Sequence, residues 1–348
     1  MSINRREMLQ IMGAAALGLS ALKPVIGQAS TGATIIKPPR LKPGDTVGLV
    51  SPAGITRSRD KLKIIEENLM ALDLKLSVDA HAMDRWGYLA GKDEDRANAI
   101  NQMYANPEID AILTFIGGWG CARLLPSLDY ELIRNHPKII LGFSDITALL
   151  LAIYARSGLV TFHGPSGRST WNEFSVDYLK RLLFEGELIT YENPRVIGDN
   201  LTQVSDRIQT ITPGQGQGRL VGGNLTVLTA LMGSAFLPDW KNHILFIEDT
   251  GEGIYRIDRM MTQLKLAGVL DQISGFVFGK CTDCEADSGY SSFTLEEVLE
   301  DHIKPLGIPA YRGAMIGHIS DKFTVPLGVE AEIDADLGTI SLLERAVT

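Results

Sequence analysis

Residues 138–158 read Lys-Ile-Ile-Leu-Gly-Phe-Ser-Asp-Ile-Thr-Ala-Leu-Leu-Leu-Ala-Ile-Tyr-Ala-Arg-Ser-Gly. The apolar run Ile139, Ile140, Leu141 stops at Gly142, as a buried strand would. From about Asp145 the period changes: Ile146, Leu149, Leu150 and Ile153 recur at i, i+3, i+4 and i+7, the face of a helix that Gly158 ends. The same alternation runs upstream. Thr46 to Ser51 is a short apolar strand running into Pro52-Ala53-Gly54, followed by the helical spacing of Leu62, Ile64, Ile65, Leu69 and Leu72. A second helix over Asp93 to Ala105 leads into the strand Ile109 to Ile116, which stops at Gly117-Gly118. Strands alternating with helices predict a parallel α/β sheet whose functional loops lie at the strand C-termini.

Downstream the pattern weakens between residues 166 and 216, where polar, Pro- and Gly-containing stretches read as a linker with surface excursions. Periodicity returns with a helix around Leu225 to Met232, the strand Ile244 to Ile247, a helix through Ile257, Met260, Met261 and Leu264, and the strand Ile273 to Phe278. The tail from Phe323 to Leu343 reads as hairpin-rich β structure. Two domains are therefore expected, 42–165 parallel α/β and 217–346 a β-rich α/β domain. The length of 348 residues fits two units of roughly 150.

Composition narrows the partners. A formal charge of −9 lacks the basic footprint of a nucleic-acid binder. Residues 1–29 open with Arg5-Arg6, continue as the apolar run IMGAAALGLSAL and end in small residues. That order reads as a secretory signal of the twin-Arg kind, with a buried N-terminal helix or an uncleaved anchor as the alternatives, and predicts a periplasmic mature protein without a membrane span. Of three cysteines, Cys281 and Cys284 form a CxxC that suits a local disulfide or two thiols. No second ligand pair stands at zinc spacing, so no metal or cofactor is expected.

Ser144 stands where strand turns into helix, so its hydroxyl would sit at the sheet edge beside a helix N-terminus, although Ser is also a common N-cap. Gly117-Gly118-Trp119-Gly120 ends the preceding strand. Its small residues permit close approach of a substrate, while Arg123 at the third glycine position spoils a dinucleotide fingerprint. Glu248 and Asp249 end an apolar strand. His318 lies in a Gly-bounded loop, and His163 follows another apolar run. Spacing alone cannot bring these groups together.

Their combination and order do more. GFSD before an apolar helix, GGWG, FHGP, GRLVGGNLTVL, FIEDTGE and GHISDKFTVPLG resemble the LD-carboxypeptidase family, which includes the microcin-immunity peptidases, from about Gly44 to Ile340. The resemblance implies a Ser-His-Glu hydrolase with Ser144 as nucleophile, His318 as general base and acid, and Glu248 orienting the imidazole. It implies backbone oxyanion donors at Asp145 and Gly118, and substrate contacts from Gly117, Trp119 and Asn224. Two domains with the active site in the cleft between them, often in a homodimer, would release terminal D-alanine from murein tetrapeptides. Such an exopeptidase needs a group that holds the substrate carboxylate, and no arginine is singled out by pattern. A peptidase acting on another peptide conjugate and a periplasmic binding protein without turnover are the alternatives. The chain departs from many relatives at Trp119 and Ile319.

Overall fold

The computed structural model describes residues 34–56, 58–285 and 292–348. The signal-like residues 1–29 lie outside them. In chain order the strands are β1 (Thr46–Val50), β2 (Lys75–Val78), β3 (Ala111–Thr114), β4 (Ile139–Gly142), β5 (Thr161–His163), β6 (Thr190–Tyr191) and β7 (Gln209–Thr212). Then come β8 (Gln215–Asn224), β9 (His243–Thr250), β10 (Gly275–Thr282), β11 (Ala310–Arg312), β12 (Val325–Leu327), β13 (Glu330–Asp334) and β14 (Thr339–Leu342). The helices are α1 (Arg59–Met70), α2 (Asp93–Ala105), α3 (Tyr130–Asn135), α4 (Thr147–Ser157), α5 (Glu173–Leu183), α6 (Leu225–Ala230), α7 (Ile254–Leu266) and α8 (Leu295–Ile303).

The first sheet has the order β12-β5-β4-β3-β1-β2, with β1 to β5 parallel and β12 antiparallel at the edge. The strand order reverses between β1 and β3, and the loops after these two strands meet where Gly54 N–H donates to the Gly117 carbonyl at 3.0 Å. Such a switch point is where open α/β sheets form ligand crevices. The second sheet has the order β6-β14-β13-β8-β9-β10-β11-β7. Its central strands β8 to β11 are parallel, and antiparallel strands flank them. The expected parallel α/β unit and β-rich α/β unit are both present.

Helix α4 joins them. Its expected single apolar face is a simplification, because Thr147 to Tyr154 are all buried. A helix apolar all round is packed on every side. Here one side covers the first sheet and the other meets the second: Thr147 Oγ1 accepts from Asn224 N–H at 2.9 Å, and Tyr154 Oη lies 3.2 Å from His243 Nε2. One continuous apolar core results.

Residues 166–216 correct the linker expectation. They carry α5, capped by Asn172 accepting from Ser175 N–H, and the strands β6 and β7, which take opposite edges of the second sheet. Strands of two and four residues, paired with segments far along the chain, leave no local period. The tail is also shared, since β12 leaves its sequence neighbours and pairs with β5 in the first sheet. Cys281 and Cys284 are disulfide-bonded, and Cys121 is a buried free thiol.

Candidate active site

Strand β4 ends at Gly142, and Ser144 opens the turn into α4 with φ of 65°. A non-glycine residue in the left-handed region carries roughly 1–2 kcal/mol of strain. Strain of this kind concentrates at functional turns and persists where the surroundings hold it. Gly117 is part of that hold, since a Cβ at this position would lie 2.7 Å from Ser144 Cβ and 3.0 Å from its Oγ. Only glycine lets the β3 loop approach the serine this closely. The loop is fixed from two further directions. Asp145, buried, accepts from Cys121 N–H at 2.8 Å, which ties the Gly117–Gly120 loop to the serine turn. Arg96, buried on α2, reaches the Pro52 and Gly120 carbonyls and Asp93, so one guanidinium braces the loops after β1 and β3. The backbone N–H groups of Gly118 and Asp145 donate to no other group among the described residues, so both are open to a ligand oxygen.

The second sheet delivers the acid and the imidazole. Glu248 lies near the end of β9 and is fully buried, in register with Asn224 of β8. His318 follows β11 in a loop stitched to β10 by Lys280 N–H to the Ile316 carbonyl and Thr282 Oγ1 to the His318 carbonyl. His318 Nδ1 and Glu248 Oε2 are 2.7 Å apart. The approach needs Gly317, whose φ is +130° and whose added Cβ would stand 2.9 Å from Glu248 Oε2. Burial alone would raise the Glu248 carboxyl, but the imidazoles of His163 and His318 outweigh it and hold the group at about 2. Glu248 is therefore an anion at neutral pH, and His318 donates to it from Nδ1. That leaves Nε2 with its lone pair free to take a proton.

Ser144 and His318 line one cavity of about 490 Å³ between the sheets, together with Gly117, Gly118, Phe143 and Lys322. Their side chains share no hydrogen bond among the described residues; in resting sites such contacts are often long and tighten on the reacting complex. The Phe143 ring packs tilted against the His318 ring, with centroids 4.9 Å apart, and limits its orientation. The arrangement can activate a hydroxyl and stabilise an oxyanion beside it.

A second cavity of about 280 Å³ opens on the other side of Ser144 and Gly118, lined among others by Trp119, Asn224, Asp249 and Glu252. Trp119 is half exposed and meets Tyr88 edge-on, so it remains available to a substrate. Asn224 lines this second cavity as well. It is buried, and its carboxamide is committed as the N-cap of α6 and as a donor to Glu248 Oε1 at 3.3 Å and Asp249 Oδ1 at 3.0 Å. Its donation to Oε1 helps to orient Glu248. Sequence reading also passed over Arg96, Arg168 and Lys322, and it left His163 without a role. His163 is buried with Nε2 3.9 Å from Glu248 Oε1, an ion-pair distance.

Family models described as the LD-carboxypeptidase N-terminal domain and C-terminal domain match residues 47–164 and 217–333. A probable murein peptide carboxypeptidase of Bacillus subtilis is 38% identical over 303 residues, which cover 86% of this chain and 91% of that one. A murein tetrapeptide carboxypeptidase of Pseudomonas aeruginosa is 29% identical, covering 83% and 93%. Among solved structures, the microcin C7 self-immunity protein MccF without ligand superposes with a TM-score of 0.81 at 30% identity, over 90% of this chain and all of that one. The chain belongs to the LD-carboxypeptidase family.

Proposed function

We propose that this protein is a serine carboxypeptidase that hydrolyses the amide bond before a terminal D-alanine in murein tetrapeptides or closely related peptides. The observation that carries the reading is the 2.7 Å contact between His318 and a buried, ionised Glu248, facing the cavity that holds Ser144. Ser144 Oγ attacks the scissile carbonyl while His318 Nε2 takes its proton. The negative charge that develops on the carbonyl oxygen is met by the Gly118 and Asp145 N–H groups. As the tetrahedral adduct collapses, His318 returns the proton to the leaving amine and D-alanine departs. Water, activated by the same imidazole, then releases the peptide from Ser144. A binding protein without turnover would have no use for a strained serine beside an oriented imidazole.

The substrate assignment has its own test. A tetrapeptide ending in D-alanine and its L-alanine epimer are offered at equal concentration, and the released amino acid is quantified. The epimer places its methyl group where the site expects hydrogen, and is cut about 10–200-fold more slowly. Equal rates would remove the D-specific reading and leave a broader amidase.

Residues 1–29 support export through the paired arginines. Replacing Arg5 and Arg6 together by lysine leaves the precursor in the cytoplasm, because a twin-Arg receptor reads the guanidinium pair. Normal periplasmic accumulation of that variant on a fractionation blot would refute this route.

A further inference from the structure

The larger cavity beside Ser144 has an uneven charge. Its lining includes two cations, Arg168 and Lys322, and no carboxylate. Lys322 is only 4% exposed, and its Nζ lies 4.2 Å over the Phe143 ring, next to the nucleophile. Lys322 lines the cavity, and among the described residues its ammonium makes neither a hydrogen bond nor an ion pair. Glu248 is the acid whose field it feels, but the oxygens of Glu248 are already held by His318 and Asn224. The Lys322 backbone is itself fixed, its N–H donating to Ser175 Oγ at 3.0 Å. A buried, unpaired ammonium is unfavourable unless something of opposite charge arrives. Burial accordingly draws Lys322 down to about 8, with the Glu248 charge opposing the shift.

Arg168, which is exposed, lines the same cavity. Its backbone N–H is anchored on the Phe115 carbonyl at 3.0 Å, and its guanidinium has no acidic partner among the described residues. A guanidinium fork and an ammonium lining one cavity fit a carboxylate, which accepts two donors on each oxygen. Ser169, Thr170 and Ser320 add hydroxyl donors along the wall.

We propose that Lys322 and Arg168 form the subsite for the free C-terminal carboxylate of the residue that leaves. Lys322 supplies the buried cation and Arg168 the exposed one. The subsite makes the protein an exopeptidase, because a chain continuing past the leaving residue would place a neutral amide against an unpaired buried cation. It rests on the proposed hydrolysis only for which end of the peptide enters this cavity.

Binding is measured by calorimetry on the full chain carrying Ser144→Ala, so that no turnover intrudes. The ligands are a murein tetrapeptide ending in D-alanine and its C-terminal amide. The free acid binds more tightly than the amide. Adding Lys322→Met weakens acid binding about 10–100-fold, the range for hydrogen bonds to charged groups, and leaves amide binding within about threefold. Adding Arg168→Ala weakens the acid about 3–10-fold with the same indifference to the amide. Thermal melts accompany both, and Arg168→Ala decides the question if the Lys322 variant does not fold, since Arg168 is exposed. Equal losses for acid and amide, or no loss for either, would overturn the subsite. The two readings fail separately. Acid-selective binding lost on Lys322→Met, together with an otherwise intact chain that releases no D-alanine, leaves the subsite standing without the hydrolase. D-alanine release with an unchanged acid-to-amide ratio does the reverse.

Discussion

Replacing Ser144 by alanine lowers kcat for D-alanine release on the order of 10⁶-fold, and His318→Ala falls about as far. The double variant falls no further. Nucleophile and base act as a unit, so removing either leaves only what the oxyanion donors and substrate binding supply. Far-ultraviolet circular dichroism of Ser144→Ala matches the starting protein, because the substitution deletes one oxygen at a cavity wall and relieves none of the buried contacts of α4. Steady-state assays on purified variants, with the double variant alongside, check both the size and the failure to multiply. A Ser144→Ala protein with near-full activity would end the serine mechanism.

Glu248→Gln has the next largest effect. The glutamine keeps the volume and still reaches His318, but its charge is gone. The imidazole loses the anion that fixes its tautomer and steadies its protonated form, and kcat drops about 10⁴-fold. The same variant carries a pH signature. In the folded protein Glu248 is held at about 2, below the ordinary glutamate value of 4.5. A depressed carboxyl contributes stability that is complete above the unfolded value and is lost as pH falls through the folded one. Between about pH 4.5 and 2 the starting protein therefore loses stability more steeply than Glu248→Gln, as urea titrations across that window would reveal. Parallel pH slopes for the two proteins would show that Glu248 is not ionised in the fold.

The serine was legible because its signal is local. An apolar run stopping at Gly142 and a new period from Ile146 mark a strand-to-helix turn without knowledge of anything distant. Glu248 and His318 were visible only as a strand end and a loop. Their 2.7 Å contact depends on β9 and β11 lying on either side of β10 in the second sheet. The order of several motifs supplied what spacing could not. Lys322 and Arg168 left no trace, because a single cation carries no period, and burial without a partner is a tertiary property. Arg96 was hidden as well, a single cation inside what reads as a polar helix, whose partners on the Pro52 and Gly120 loops are set by the fold. The stretch 166–216 was misread because β6 and β7 are short edge strands, largely exposed in β7, whose pairing partners come late in the chain. The Asn224 contacts to Glu248 and Asp249 were not legible either, because they join the ends of β8 and β9, which only the sheet brings into register.

The most direct test incubates a murein tetrapeptide with the protein and with Ser144→Ala, and quantifies D-alanine and the remaining tripeptide together. Equimolar D-alanine and tripeptide from the protein, with neither from the variant, is the expected result. D-alanine release that survives in Ser144→Ala, or cleavage at an internal bond with no free D-alanine, would contradict it.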